Sequence, residues 1–277
     1  MIQAGRSFYK LTGSGNDFVF IDTRTEPAGY LENTETIRAI CARGSGVGAD
    51  GIVFLRQHEG AKVAIRYLNS DGSIAALCGN ATLCAARLAA ELGIVDRDQE
   101  FGIATDSGIM TARFRHEVPE IDLQPVDQLD ECFGAEPGEG EMRLGFALVG
   151  VPHLVVLCRD VERAAIVDRG RELRHHPGLS HGANVNFVSA RGGRWRIRTY
   201  ERGVESETLA CGTGAVATAL LLEAWGEAGQ SMELETLSGR ALRVRHRLEG
   251  QRHYASLSGE ARIVFVGQLA ELITTAS

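Results

Sequence analysis

Two short segments, about half the chain apart, share one pattern that constrains the fold more than any other feature. Residues 76–80 (ALCGN) and 209–214 (LACGTG) each put a cysteine on a glycine-containing turn. Both turns run into alanine- and leucine-rich stretches that are typical of helices. Because this arrangement occurs twice in 277 residues, the sequence indicates two similar halves.

Other segments extend the repeat. Farther upstream of the cysteines, residues 15–19 resemble 183–188, and residues 47–55 more weakly resemble 149–157. Strand-like runs then precede both cysteine turns, and a Ser-Gly turn follows each helical stretch. Several matching segments favour duplication over chance similarity of glycine-rich turns.

The balance of elements predicts an α/β fold of the α+β type. Helical patterns are few beside many short strand-like runs, so we expect mixed or antiparallel sheets. The predicted domains are residues 1–118, joined by a C-terminal strand at 264–277, and residues 119–263, with the active site in the cleft between them. Residues 127–141 are predicted to be a linker or surface loop. The predicted helices are 33–42, 80–92, 162–174 and 212–228.

Composition excludes several kinds of partner. The net charge is −7 and no run of Lys or Arg is typical of a phosphate-binding surface, so we expect neither nucleic acid nor an anionic membrane as partner. The N-terminus has no apolar leader, and no stretch of eighteen apolar residues occurs. We therefore expect a cytoplasmic protein, and a homodimer is a reasonable assembly for an enzyme of this size.

The cysteines and histidines do not indicate a disulfide framework or a metal site. No CxxC or Cys/His pair has zinc-finger spacing. Cys41, Cys84 and Cys158 lie in apolar stretches and are predicted to be buried, while every histidine except His153 is predicted to lie at the surface. Lysine occurs only at positions 10 and 62, neither in a phosphate-binding context, so we expect no pyridoxal phosphate and no other cofactor.

Two thiols at helix starts fit one chemistry well. Unpaired N–H groups and the helix dipole favour a thiolate there, and the same N–H groups can hold a carboxylate. An acidic C–H centre can be inverted if one base removes the proton and a second acid delivers one to the opposite face. We therefore predict Cys78 and Cys211 as such a pair, with Gly79-Asn80 and Gly212-Thr213 holding the substrate carboxylate.

At these residues the chain resembles the diaminopimelate epimerase family of cofactor-independent amino-acid epimerases. That resemblance implies two halves, each with a sheet around a central helix, and conversion of LL- to meso-diaminopimelate for lysine and peptidoglycan synthesis. The similarity spans nearly the whole chain. It rests on residues 13–18, 46–51, 69–73, 78–80, 152–153, 184–187, 201–203 and 211–214.

The resemblance implies a role for each matching residue. Cys78 and Cys211 would be the acid/base pair, and His153 and Glu201 would influence the pKa values of the thiols. The residues that would bind substrate are Asn16, Asn69, Gly79, Asn80, Asn184, Glu201, Arg202, Gly212 and Thr213. Six of these residues also have a structural alternative: Asn16, Asn69 and Asn184 as turn formers, Glu201 and Arg202 as an ion pair, and His153 as a strand cap.

Three positions depart from the family pattern. Ala81 and Leu83 stand where the family usually has glycine and arginine, and Val151 stands where it commonly has asparagine. Valine cannot hydrogen-bond, so the far end of the substrate would lose one partner. Two alternatives therefore stay open: a racemase of another amino acid, similar to the histidine racemases of metal-chelator synthesis, and a non-catalytic protein that binds small anions.

Overall fold

The computed structural model describes residues 5–74 and 78–270. The chain folds into two compact units. The first comprises the described residues up to Ile121 and those from Glu260 onward, and the second is Asp122–Gly259. Of the predicted C-terminal strand at 264–277, residues 271–277 lie outside the described residues, as do Ala76 and Leu77 of the first cysteine segment.

The strands, in chain order, are β1 (Ser7–Gly13), β2 (Asn16–Asp22), β3 (Gly51–Arg56), β4 (Val63–Asn69), β5 (Phe101–Thr105), β6 (Gly108–Arg115), β7 (Val118–Asp122), β8 (Leu129–Asp130), β9 (Glu141–Val149), β10 (Val151–Cys158), β11 (Asn184–Arg191), β12 (Arg194–Glu201), β13 (Ser206–Thr208), β14 (Ser231–Glu235), β15 (Ala241–Glu249), β16 (Arg252–Gly259) and β17 (Ala261–Gln268). The α-helices are α1 (Thr34–Cys41), α2 (Gly79–Glu91), α3 (Ile166–Arg174) and α4 (Gly212–Ala224). All four predicted helices are present. None in the described part of the chain is long and apolar enough to cross a membrane.

Both units have the same sheet topology. In the first, the neighbouring strands run β17-β1-β2-β3-β4-β5-β6-β7, with β2–β3 and β4–β5 parallel and the other pairs antiparallel. In the second they run β8-β9-β10-β11-β12-β14-β15-β16, with β10–β11 and β12–β14 parallel and the others antiparallel. The mixed sheets and the repeat are therefore as predicted from the sequence.

The topology corrects two of the segment matches. Strand β2 corresponds to β10 and β3 to β11, so residues 15–19 do not match 183–188, and 47–55 do not match 149–157. The sequence analysis matched β2 with β11 and β3 with β10, which exchanges the two true counterparts. The reason is that each of these four strands lies in a parallel pair buried in its sheet, and such strands have similar continuous apolar runs.

The central helix of each unit is buried almost throughout. Every residue is buried from Gly79 to Ala86 in α2 and from Gly212 to Leu222 in α4. Helix α4 is apolar on all sides, as expected for a helix that a sheet surrounds. Glycines on equivalent strands permit the close approach: a Cβ at Gly13 would lie 2.8 Å from Cys84 Sγ, and one at Gly145 would lie 2.7 Å from a Leu221 methyl carbon.

A second helix in each unit covers a separate apolar layer. Helix α1 contributes Ile37 and Ile40 to a core with strand residues of β2 and β3, and α3 contributes Ile166 and Leu173 to one with residues of β10 and β11. Burying one such side chain contributes about 1.5–3 kcal/mol. Each layer thus contributes to the stability of its own unit.

Candidate active site

Cys78 and Cys211 occupy the same position at the start of the two central helices. Each is the N-cap residue, with an extended backbone: φ −129° and ψ 108° at Cys78, and φ −135° and ψ 112° at Cys211. The carbonyl of each cysteine accepts the first helical hydrogen bond at 3.0 Å, from Thr82 N and Ala215 N respectively. Both thiols are partly exposed. The matched backbone gives two equivalent thiols, one in each unit.

The N–H groups beside the thiols point outward from the helix starts. Gly79 and Asn80 are the first two residues of α2, and Gly212 and Thr213 are the first two of α4. N–H groups at these positions have no partner within the helix, and the dipole makes this end positive. Each helix start can therefore hold a carboxylate beside its thiol.

A chain of hydrogen bonds leads from the sheet of the second unit to Cys211. Thr213 Oγ1 lies 3.7 Å from Cys211 Sγ and 3.0 Å from His153 Nε2. On the other side of the imidazole, Asn186 Nδ2 lies 3.2 Å from His153 Nδ1. The Thr199 hydroxyl donates to Asn186 Oδ1 at 3.0 Å.

The direction of this chain follows from the orientation of Asn186. Its amide nitrogen also donates to the Leu154 carbonyl at 3.0 Å, and a flipped amide would put two oxygens together there. Because the amide donates, His153 Nδ1 must accept, so the proton lies on Nε2 and is donated to Thr213. The Thr213 hydroxyl is then free to donate its own proton to Cys211.

His153 is electrically neutral within this series of hydrogen bonds. It is fully buried, and burial, together with the positive charge of Arg202, lowers its pKa from 6.5 to about 3. Its predicted influence on the thiol pKa would therefore act through Thr213 and not through a positive charge. Glu201 lies half-buried at the end of β12, and its influence on the thiols stays a prediction.

Gly214 has no room for a side chain. A Cβ there would lie 2.2 Å from Asn186 Oδ1 and 3.2 Å from Cys211 Sγ. The second glycine of the motif CGTG is therefore needed because Asn186 and Cys211 both approach the backbone of the first turn. In α2 the corresponding residue is Ala81, which is fully buried, as is Leu83.

Beside Cys78, a chain of two hydrogen bonds runs from Asn80 through Asn16 to Asp50. Asn80 Nδ2 donates to Asn16 Oδ1 at 2.7 Å, and Asn16 Nδ2 donates to Asp50 Oδ2 at 3.1 Å. Because a carboxylate only accepts, this order fixes both amides. It leaves Asn80 Oδ1 buried without a hydrogen-bond partner among the described residues. That oxygen is an available acceptor at the start of α2.

Charged residues anchor Asp50. Arg43 bridges Asp50 Oδ1 at 2.8 Å and Asp17 Oδ1 at 2.6 Å. Asp17 also pairs with Lys10 Nζ at 2.6 Å. Burial raises the pKa of Asp17, but the hydrogen bonds and charges of Arg43 and Lys10 outweigh that effect and lower it overall. Asp17 and Asp50 were not predicted as site residues, although both lie inside motifs that carry the family resemblance.

The other two predicted asparagines hold turns. Asn69 donates to Ser73 Oγ at 3.0 Å and accepts from the Tyr67 hydroxyl at 2.9 Å. Asn184 Oδ1 accepts from the backbone N–H of Arg202 at 2.7 Å. Asn184 thus fixes the backbone that carries Arg202, and its substrate contact, like that of Asn69, stays a prediction.

The sequence analysis missed four hydrogen-bonding residues and misplaced two histidines. Asn186, Thr199, Asp17 and Asp50 had no assigned role, although an asparagine inside a buried apolar strand is itself a signal of a specific hydrogen bond. The prediction that the remaining histidines lie at the surface is wrong for His246 and His253, which are only 6% and 9% exposed. Their alternating positions on β15 and β16 place them on the inner face.

The prediction for the other cysteines in apolar stretches is confirmed. Cys41, Cys84 and Cys158 are buried. Burial raises the pKa of Cys41 and of Cys158 to about 12, and raises the pKa of Cys84 well above its ordinary value. These three thiols stay protonated at neutral pH.

The comparison with known proteins agrees with these motifs. The family model for diaminopimelate epimerase matches residues 8–126 and 145–264. A diaminopimelate epimerase of Gemmatimonas aurantiaca is 46% identical, with 96% of this chain and 100% of the relative covered. That of Aquifex aeolicus is 37% identical, with 95% of this chain and 98% of the relative covered.

Solved structures share the fold at low identity. A Bacillus anthracis protein of the PhzF family has a TM-score of 0.73 at 14% identity, covering 96% of this chain and 99% of that one. A hydroxyproline epimerase from Agrobacterium vitis, with bound trans-4-hydroxy-L-proline, has a TM-score of 0.69 at 19% identity, covering 96% and 93%. With the family match over most of its length and relatives well above 30% identity, the chain belongs to the diaminopimelate epimerase family.

Proposed function

We propose that this protein is an isomerase that interconverts LL- and meso-2,6-diaminopimelate, with Cys78 and Cys211 as its acid/base pair. The observation that carries the proposal is the equivalent position of the two cysteines, each at the N-cap of a buried central helix in a duplicated unit. Reversible inversion requires two groups of similar properties, and duplication supplies them. Membership of the family supports diaminopimelate as the substrate.

The chemistry needs one thiolate and one thiol. The thiolate removes the α-proton, leaving a carbanion, and the thiol delivers its own proton to the opposite face of the same carbon. The pair ends with the protonation states exchanged, so the enzyme is ready for the reverse reaction. The two groups titrate as a coupled pair. The proposal requires both sulfurs to reach one α-carbon from opposite sides.

The helix starts would lower the barrier to forming the carbanion. As the α-proton leaves, negative charge builds on the α-carboxylate. The N–H groups of Gly79, Asn80, Gly212 and Thr213 are fixed in advance and would meet that charge. Removing one such donor typically costs about 2.7–4 kcal/mol of transition-state stabilisation.

The hydrogen bonds around Cys211 fit the thiolate form. With His153 donating to Thr213, the Thr213 hydroxyl donates to sulfur, and such a bond is stronger when the acceptor is charged. This arrangement supports Cys211 as the base in one direction of the reaction.

The remaining predicted residues would hold the rest of the substrate. An ammonium group of the substrate needs a hydrogen-bond acceptor. Asn80 Oδ1 would supply one, since it is buried without a partner among the described residues. Asn16 and Asn69 would assist at the amino groups, and Arg202, with Glu201 and Asn184, would bind the far end. An arginine can hold both oxygens of a distal carboxylate.

The proposed setting is lysine and peptidoglycan synthesis in the cytoplasm, with no cofactor and a homodimer as the expected assembly. One observation favours a second candidate, a racemase of another amino acid. Val151 opens β10 and is only partly buried, next to the His153 end of the site, and it offers no hydrogen bond to a distal charge. The chemistry at the α-carbon would be the same.

Proton exchange at the α-carbon tests both candidates. The reduced protein, without added pyridoxal phosphate, is incubated in D2O with LL- and meso-diaminopimelate and with a panel of other amino acids. NMR follows deuterium incorporation, and chiral chromatography follows inversion. We expect exchange and inversion of diaminopimelate. Exchange with another amino acid alone would favour the second candidate, and binding without exchange would overturn both.

A further inference from the structure

Three potential metal ligands converge at the far end of α4 from Cys211. Glu223 lies in the last turn of α4, and His246 and His253 lie on β15 and β16. One ligand atom from each residue lies within 4.8 Å of the others. At 1.5 Å per residue along α4, Glu223 is about 18 Å from Cys211, so this cluster is separate from the proposed active site.

The strand register explains why the two histidines meet. His246 pairs with Ala255, and Leu248 pairs with His253, so the histidines are diagonal neighbours on one face of the β15–β16 hairpin. That face is the buried one, and it packs against α4. The histidines are therefore held beside the end of the helix. Their sequence spacing is not that of a zinc finger, so no linear motif announces the cluster.

Three of the four ring nitrogens have no hydrogen-bond partner among the described residues. In the described residues, neither ring nitrogen of His246 has a partner, and Nδ1 of His253 has none. His246 is 6% exposed and His253 is 9% exposed. A buried polar group without a partner costs about 1–3 kcal/mol, and three such atoms in one place call for a ligand.

The charge of the cluster suits a cation. Glu223 supplies a carboxylate, and the C-terminal end of α4 adds partial negative charge. An imidazole binds a metal through the lone pair of a ring nitrogen, and neither ring nitrogen of His246 has a hydrogen-bond partner among the described residues.

We propose that Glu223, His246 and His253 form a binding site for a divalent transition-metal ion, with Zn²⁺ as the reference ion. Two imidazoles and one carboxylate are a ligand set that zinc accepts, with a fourth position left for water beside the half-buried Glu223. Zinc–ligand bonds of about 2.0–2.1 Å put tetrahedral ligand atoms about 3.3 Å apart. Binding would draw the three side chains together and tie the hairpin to the end of α4.

Cobalt titration of the full chain tests the proposal, because Co²⁺ reports its ligands by colour. The reduced protein, freed of metal, is titrated with Co²⁺ and then with Zn²⁺. We expect one equivalent of Co²⁺ to give visible absorption without the near-ultraviolet band of thiolate ligands, and Zn²⁺ to displace it. Zn²⁺ should also raise the melting temperature. A thiolate band would overturn the proposal, as would the absence of saturable binding.

Variants assign the ligands. We expect Glu223→Gln, His246→Gln and His253→Gln each to weaken Zn²⁺ binding at least about tenfold and to abolish the rise in melting temperature. Glu227→Gln and His58→Gln change exposed residues of the same types and should leave binding unchanged. Circular dichroism checks that each variant is folded without metal. Unchanged affinity in folded variants of Glu223 and of both histidines would overturn the proposal.

Discussion

The imidazole Nε2 of His153 lies 3.0 Å from the hydroxyl of Thr213, which in turn lies 3.7 Å from the sulfur of Cys211. A buried neutral histidine thus reaches a partly exposed thiol through one hydroxyl group. Asn186 donates to Nδ1 of the ring, so Nε2 donates to the Thr213 hydroxyl, and that hydroxyl donates to the sulfur.

Replacing the hydroxyl tests that relationship. Thr213→Val keeps the shape of the side chain but removes the bonds to His153 and Cys211. A hydrogen bond to a charged group contributes about 1.5–3 kcal/mol, so we expect kcat to fall about 10- to 150-fold. The rising limb of the pH–rate profile should move to higher pH. Steady-state kinetics measure both, and Thr213→Ser should restore most of the rate. Equal losses in the serine and valine variants would contradict the role of the hydroxyl.

The pKa of His153 predicts how stability depends on pH. Because its pKa falls from 6.5 to about 3 on folding, the unfolded chain binds a proton over this interval that the folded chain does not. Stability is therefore fully present above about pH 6.5 and is lost, by a few kcal/mol at most, as the pH falls toward 3. Urea unfolding at pH 7, 6, 5 and 4 measures the loss. The buried His246 acts in the same direction, so the informative comparison is with His153→Gln. We expect a shallower decline in that variant, and a parallel decline would contradict the assignment.

Gly214→Ala should damage the site because its Cβ would lie 2.2 Å from Asn186 Oδ1. Overpacking of this kind costs about 1–3 kcal/mol of stability. Displacement of Asn186 or Cys211 should also lower kcat at least tenfold. Gly229→Ala is the matched control, since no atom lies within 4 Å of its added Cβ and its backbone is not left-handed. If thermal unfolding and kcat respond alike in the two variants, the close packing of Asn186 has no consequence.

Asp50→Asn should impair substrate binding more than folding. The carboxylate fixes the amide of Asn16 and, through it, the amide of Asn80. An amide at position 50 can donate an N–H group to Asn16. The side-chain amides of Asn16 and Asn80 can then both flip by half a turn. We expect KM to rise several-fold while the melting temperature changes little. Asp98→Asn, at an exposed position outside these hydrogen bonds, serves as the control. An unchanged KM would show that the orientation of Asn80 does not depend on Asp50.

The sequence was sufficient to predict the repeat, the mixed sheets, the four helices and the cysteine positions. Each depends on local patterns: alternating strand residues, glycine turns and the apolar residues of α2 and α4. The crossed matching of β2 with β11 shows the limit, because buried parallel strands have similar composition whatever their order.

The polar networks could not be predicted from local patterns. The bond between Asn80 and Asn16 joins residues 64 positions apart, and that between His153 and Thr213 joins residues 60 apart. The burial of His246 and His253 follows from strand phase and hairpin register, which composition does not specify. Such contacts depend on topology, and a single sequence contains little information about it.

The central claim is that two cysteines act on opposite faces of one carbon, and single replacements test it most directly. Cys78→Ala, Cys211→Ala and, as control, the exposed Cys132→Ala are incubated in D2O with LL- and meso-diaminopimelate, and exchange is followed separately from inversion. The account predicts that neither active-site variant inverts substrate, that any residual exchange occurs on opposite stereoisomers in the two variants, and that Cys132→Ala behaves as the unmodified protein. Inversion at an undiminished rate in either Cys78→Ala or Cys211→Ala would contradict it.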